Sequence, residues 1–160
     1  MDHIEFARGC VAGLANGLGV SFADSSAYHR LLCAQRYLLY EAVDELQDGE
    51  KRSCWLWWLL PTDHTGKNDP LQTYLTRVTA QELLKEWPDG PLPESGHPQW
   101  RAVLEHLGSL VGRVGMRRLL PDKDIPRVRD FVKFWRSIRS KPYWLEEVLR
   151  RLAEWLQLLD

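Results

Sequence analysis

The chain is poor in cysteine, in long apolar runs and in net charge, and each shortage excludes something. Three cysteines, Cys10, Cys33 and Cys54, cannot all pair with one another, and they have neither the density nor the even count of a secreted disulfide framework. Buried, reduced thiols are the expectation. The uncharged stretch from Gly9 to Ala23 is broken by glycines and is shorter than the ~20 residues that span a bilayer. Asp2 and Glu5 stand where a secretory leader would be positive, so no membrane association and a cytoplasmic location are expected. With 21 Lys and Arg against 22 Asp and Glu, the formal charge is −1, which gives no overall pull toward nucleic acid or an acidic membrane. No segment alternates as a strand does, and there is no internal repeat or low-complexity tract.

Tryptophan is in excess. Eight Trp in 160 residues must be accommodated mainly by burial, and each brings an indole N–H that needs an acceptor. With 44% apolar and 27% charged residues, the chain has the makings of one core, and its length suits a single domain over residues 1–160.

Helical periodicity runs through most of the sequence. Residues 2–15 suggest a short first helix ended by Gly13, Gly17 and Gly19. Tyr28, Leu31, Leu32, Gln35, Leu38, Leu39, Ala42 and Leu46 predict one long amphipathic helix, with Asp24, Ser25 or Ser26 as N-cap and Gly49 as its stop. Lys51 to Pro61, KRSCWLWWLLP, is apolar after its first four residues and is buried whether helix or strand. Thr62 to Pro70 reads as a loop. Thr79 and Glu82 have capping-box spacing for a short helix stopped by Pro88. A loop rich in proline and glycine follows at 88–98. Further stripes begin at Trp100, at Val128 after Asp124 and Pro126, and at Trp144 after Ser140 and Pro142. The fold class expected is all-α, a single-domain bundle of five to seven helices around a Trp- and Leu-rich core.

Signals of reaction chemistry are sparse. His29 and Cys33 are four apart on one helical face, but a zinc site needs three or more ligands and no third is spaced to join them. Gly13, Gly17 and Gly19 do not follow a strand, and Gly66-Lys67 lacks the rest of a phosphate loop. Cys54 follows Lys51 and Arg52, which would favour a thiolate, but no histidine is tied to it as a base. The expectation is therefore no catalytic residue, no metal and no cofactor.

Two regions remain as binding candidates. Lys51, Arg52, Trp55 and Trp57 combine cations with aromatic planes, suited to a nucleotide-like ligand with a flat ring and an anionic group. Between Arg113 and Arg151, twelve Lys or Arg face five Asp or Glu, with Phe134, Trp135, Tyr143 and Trp144 interleaved. The residues expected to contact a macromolecular partner, either nucleic acid or an acidic protein, are Arg113, Arg117, Arg118, Arg136, Arg139 and Lys141. This basic, aromatic face is the first expectation for function, as a non-enzymatic binding protein. The 51–61 pocket is the second.

The run KRSCWLWWLLPT resembles KRSHWMWFIFPQ, the hallmark of an uncharacterised all-helical bacterial family sometimes labelled calpastatin-like. AQRYLLYEAVDELQDG before it and GKNDPLQTYLTRVTAQELL after it are similar to that family's flanking helix and loop, and His97-Pro98 matches a His-Pro further on. The similarity covers about two-thirds of the chain. Cys54 stands where the family has His, and Thr62 where it has Gln. The resemblance implies an all-helical fold and a pocket near Lys51, Arg52, Trp55 and Trp57, and it implies no activity.

Overall fold

The computed structural model describes residues 26–91, 99–111, 113 and 119–159. Among them the chain is all-α, with seven α-helices, one 3-10 turn and no strand. The first helix expected over residues 2–15 lies outside the described residues, as does most of the 88–98 loop.

Helix α1 (Ala27–Tyr37) begins at Ser26, whose hydroxyl accepts a hydrogen bond from the His29 N–H at 3.0 Å. The long helix expected through Leu46 is in fact two. The chain turns at Leu38 and Leu39 and resumes as α2 (Tyr40–Asp48). Both leucines at the break are buried; the offset brings these adjacent side chains into the core together, which a narrow stripe on one straight helix would not. Gly49 then ends α2 at φ 74°, a left-handed conformation that glycine adopts without penalty.

The Trp-rich run forms only a single turn, α3 (Leu56–Leu59). The segment after it is a loop as expected, yet Thr62, Asp69, Leu71, Thr73 and Leu75 within it are buried. Helix α4 (Arg77–Glu86) starts earlier than the Thr79–Glu82 spacing predicts. Thr76 is the N-cap and Thr79 its partner: each hydroxyl accepts a hydrogen bond from the other residue's N–H, at 3.1 and 2.7 Å.

Helix α5 (Trp100–Val111), the 3-10 turn (Asp122–Asp124), α6 (Ile125–Arg136) and α7 (Tyr143–Leu159) complete the order. Helix α7 packs against α5 on one side and α6 on another, through Trp144, Leu145, Val148, Leu149, Leu152, Trp155 and Leu156, all buried. The Trp- and Leu-rich core is as expected. At its centre the Trp100 ring lies 5.5 Å from Trp144, edge to face, and 5.7 Å from Trp135, which Phe134 meets edge-on at 5.4 Å. Such ring pairs contribute roughly 0.5–1.5 kcal/mol each beyond the area they bury. No helix among the described residues is long and apolar enough to cross a membrane.

Candidate functional site

Leaving the helix so soon strips the Trp-rich run of backbone partners, and side chains from elsewhere replace them. Gln35 Nε2 donates to the Trp58 carbonyl, Trp100 Nε1 to Leu59, Arg127 Nε to Leu60 and Trp135 Nε1 to Pro61, each at 2.9 Å. The Leu75 N–H reaches the Thr62 carbonyl at 2.8 Å. Buried carbonyls left unpaired would each cost about 1–3 kcal/mol, so this network is what allows an irregular run to occupy the core.

Arg127 belongs to that network and not to the basic surface where the sequence put it. Its guanidinium also donates to Thr62 Oγ1 and the His64 carbonyl, both at 2.9 Å, and lies 5.1 Å over the Trp57 ring. Burial lowers its pKa to about 10, with Asp69, Asp130 and Asp63 opposing the shift, so it stays charged at neutral pH. Its position four before Phe131 and seven before Phe134 puts it on the apolar stripe of α6, a signal the sequence did carry.

Two buried carboxylates organise the rest. Glu45 Oε1 accepts from the N–H groups of Arg52 and Ser53 and from Trp55 Nε1. Burial works against its charge, but hydrogen bonds from Ser53, Arg52 and Trp55 outweigh it and hold the carboxyl below its ordinary range. Asp69 accepts from Trp58 Nε1, the N–H groups of Leu71 and Thr73, and the Thr73 hydroxyl, which is only 2.6 Å away.

Of the four residues proposed as a ligand site, Lys51, Arg52 and Trp57 line one cavity of about 600 Å3, together with Cys54, Lys67, Asn68, Lys123 and Asp124. Trp55 does not. It is fully buried, bound to Glu45, with Lys51 Nζ 5.7 Å from its ring centre. Lys51 pairs with Asp124 at 3.2 Å, both side chains less than a tenth exposed. Asp124, expected to cap α6, makes no side-chain cap bond there. Arg52 is engaged by Asp48 at 2.8 Å on the surface. The indole of Trp57 is already covered: Arg127 lies over it, and Gly66 sits so close that a Cβ there would fall 2.2 Å from the ring. That removes it as a platform for a flat ligand ring. Burial raises the Cys54 thiol to about 11, helped by Glu41 and Asp69, so at neutral pH it is protonated and a poor nucleophile.

The proposed macromolecular face divides differently. Arg113, Arg136 and Arg139 are exposed, and Arg117 and Arg118 lie outside the described residues. Lys141 is half-buried and its Nζ donates to the Ile138 carbonyl at 2.5 Å. The aromatic half of the expectation fails. Phe134, Trp135 and Trp144 are buried because they form the α5–α6–α7 core, and only Tyr143, 71% exposed, reaches solvent. Tyr143 borders a hollow of mixed charge, where Asp89, Glu105 and Glu147 stand beside Arg101 and Arg151. Arg150 and Arg151 are taken up by Glu147 and Glu154 on their own helix.

What remains basic is a stripe on α6. Arg129, Lys133 and Arg136 stand at i, i+4 and i+7 and rim a shallow groove floored by Val132, Ala153 and Leu156, with Gln157 as the other polar member and no acidic residue in its lining. Lys133 and Arg136 make no ion pair among the described residues. Arg129 and Lys133 belong to the basic stretch that the sequence shows, but they are not among the six residues expected to make the contact; their four-residue spacing is what places them on one face. Among the described residues no group of three or more His, Cys, Asp or Glu stands where it could hold a metal ion. Compared with family models, curated proteins and solved structures, the chain matches none of them.

Proposed function

We propose that this protein is a non-enzymatic binding module that docks an acidic, amphipathic protein segment along the α6–α7 groove. The observation that carries the reading is the groove itself, with three cations along one rim, an apolar floor and no carboxylate in its lining. A partner helix with leucines on one face and glutamates beside them would bury its apolar side on Val132, Ala153 and Leu156 while Arg129, Lys133 and Arg136 take its carboxylates.

The same features weigh against nucleic acid as the partner. Bases need exposed aromatic faces to stack on, and the aromatics of this region are buried except for Tyr143, which lies outside the lining of the α6–α7 groove. A phosphate backbone has no use for the apolar floor.

Fluorescence anisotropy tests this with a labelled amphipathic Leu/Glu peptide and, separately, a labelled oligo-dT strand. The peptide should bind more tightly than the strand and weaken as salt rises. The double charge reversal Lys133→Glu/Arg136→Glu should reduce peptide affinity by about tenfold or more, since it replaces two attractive rim charges with repulsive ones. Peptide binding that ignores the reversal, or tighter binding of oligo-dT, sinks the reading.

A further inference from the structure

A cleft of about 540 Å3 lies between α6 and the segment leading into α4, and its lining shares only Lys133 with that of the α6–α7 groove. Two ties set its direction. At one end the Leu75 N–H donates to the Thr62 carbonyl at 2.8 Å, and Thr62 Oγ1 accepts from Arg127 in the first turn of α6. At the other, Gln81 Nε2 donates to the Arg139 carbonyl at 2.8 Å, just past the end of α6. The chain from Leu75 into α4 therefore runs beside α6 in the same sense. Charge is sorted along that line. Asp63 and Asp130 belong to the Arg127 end, and the charges of both bear on its buried guanidinium. Lys133 follows Asp130 by three residues, about 4.5 Å further along the helix axis, and Arg77 joins it from the first turn of α4. Asp130, Lys133 and Arg77 are exposed and make no ion pair among the described residues, while Asp63 lies 3.4 Å from the ring of its neighbour His64. Leu75 and Phe134 are buried in the lining, and Tyr74, 44% exposed, leaves ring surface open next to Leu75, at the acidic end.

We propose that this cleft binds a zwitterionic dipeptide whose first residue is aromatic. Its ammonium sits between Asp63 and Asp130, its carboxylate meets Arg77 and Lys133 as a charge-assisted acceptor, and its ring lies against Tyr74. A ligand of one charge would be attracted at one end of the cleft and repelled at the other, whereas a zwitterion is matched at both. Length selects the dipeptide. The charged groups of a free amino acid are separated by two bonds of about 1.5 Å each, while two extended residues span about 7 Å, enough to pass from the Asp130 level to the Lys133 level. The volume is in the range of small-molecule sites.

Isothermal titration calorimetry at low salt tests each part, with Phe-Ala, N-acetyl-Phe-Ala, Phe-Ala amide and free phenylalanine as probes. Phe-Ala should bind about tenfold or more tightly than each of the other three, the scale of one charge-assisted hydrogen bond. Asp130→Asn should weaken Phe-Ala by a similar factor and leave the acetylated dipeptide, which has no ammonium, unchanged. Arg77→Gln should weaken Phe-Ala and leave the amide, which has no carboxylate, unchanged. That pairing of each end with one residue is what a general surface charge would not produce. No binding of Phe-Ala, blocked dipeptides or phenylalanine binding as well as Phe-Ala, or substitutions that act alike on blocked and free dipeptides each overturns the proposal. The double variant Arg77→Gln/Asp130→Asn keeps the net charge and alters no residue lining the α6–α7 groove, so it should lose Phe-Ala and keep the affinity of the wild type for the Leu/Glu peptide. The dipeptide series does not involve that peptide, so failure here and failure of the groove reading are told apart.

Discussion

The Trp-rich run and the α6–α7 pair use the same residue types to opposite ends. In the run and the loop behind it, the charged residues that look like site chemistry turn inward: Glu45 and Asp69 collect N–H groups, Lys51 faces Asp124, and Arg127 arrives from α6 to tie four acceptors. On α6 and α7 the amphipathic pattern is regular enough to satisfy its own backbone, so Lys133 and Arg136 are left facing solvent. The difference teaches that a charge next to an irregular buried backbone is first a structural partner, while a charge on a regular helix is available for something else.

The comparison breaks hardest at its shared anchors. Trp100→Ala removes a fully buried indole, two ring contacts and the donor to Leu59, and should cost about 4 kcal/mol in urea unfolding. Arg127→Ala strips acceptors at Leu60, Thr62 and His64 together and should cost about 3–5 kcal/mol, since breaking a buried charged network from one side leaves its partners unpaired. Gly66→Ala forces the Trp57 ring aside, and a loss of about 1–3 kcal/mol is expected from overpacking, read from the same melts.

A pH series sharpens the contrast. The Glu45 carboxyl is held below its ordinary range in the folded state. Its contribution is therefore complete above the unfolded carboxylate pKa and is lost as pH falls through the folded value. Glu45→Gln should cost about 1–2 kcal/mol at pH 7 by weakening charge-assisted bonds, and the gap to the wild type should narrow on acidification; a gap independent of pH would mean the carboxylate charge is not what counts. The smallest effect belongs to the other region. Lys133→Glu/Arg136→Glu should change stability by no more than about 0.5–1 kcal/mol, as exposed charges near a helix C-terminus do; thermal melts check this, and a larger loss would mean the stripe is structural after all.

The helices were legible because burial of one face leaves a three- and four-residue rhythm, seen at Val128–Phe131–Trp135 and at Val148–Leu152–Trp155. The break at Leu38–Leu39 was not, since no proline or glycine marks it and the stripe continues across it. The α4 start was misread because Thr79 can serve as cap or as the cap's partner, and only the structure distinguishes the two. Of the ligand site, Lys51, Arg52 and Trp57 were legible as neighbours along the chain. Asp124 was not, because it meets Lys51 only through folding of the whole chain.

The carbonyls of Trp58, Leu59, Leu60 and Pro61 depend on donors 23, 41, 67 and 74 positions away. The full set forms only once helices on both sides of the run in sequence have docked on it, so loop closure must precede the reward. Contacts of that separation slow a folding reaction beyond what its helical content would suggest. The backbone amides at the centre of the molecule should therefore exchange with solvent deuterium only through global unfolding, as one cooperative unit.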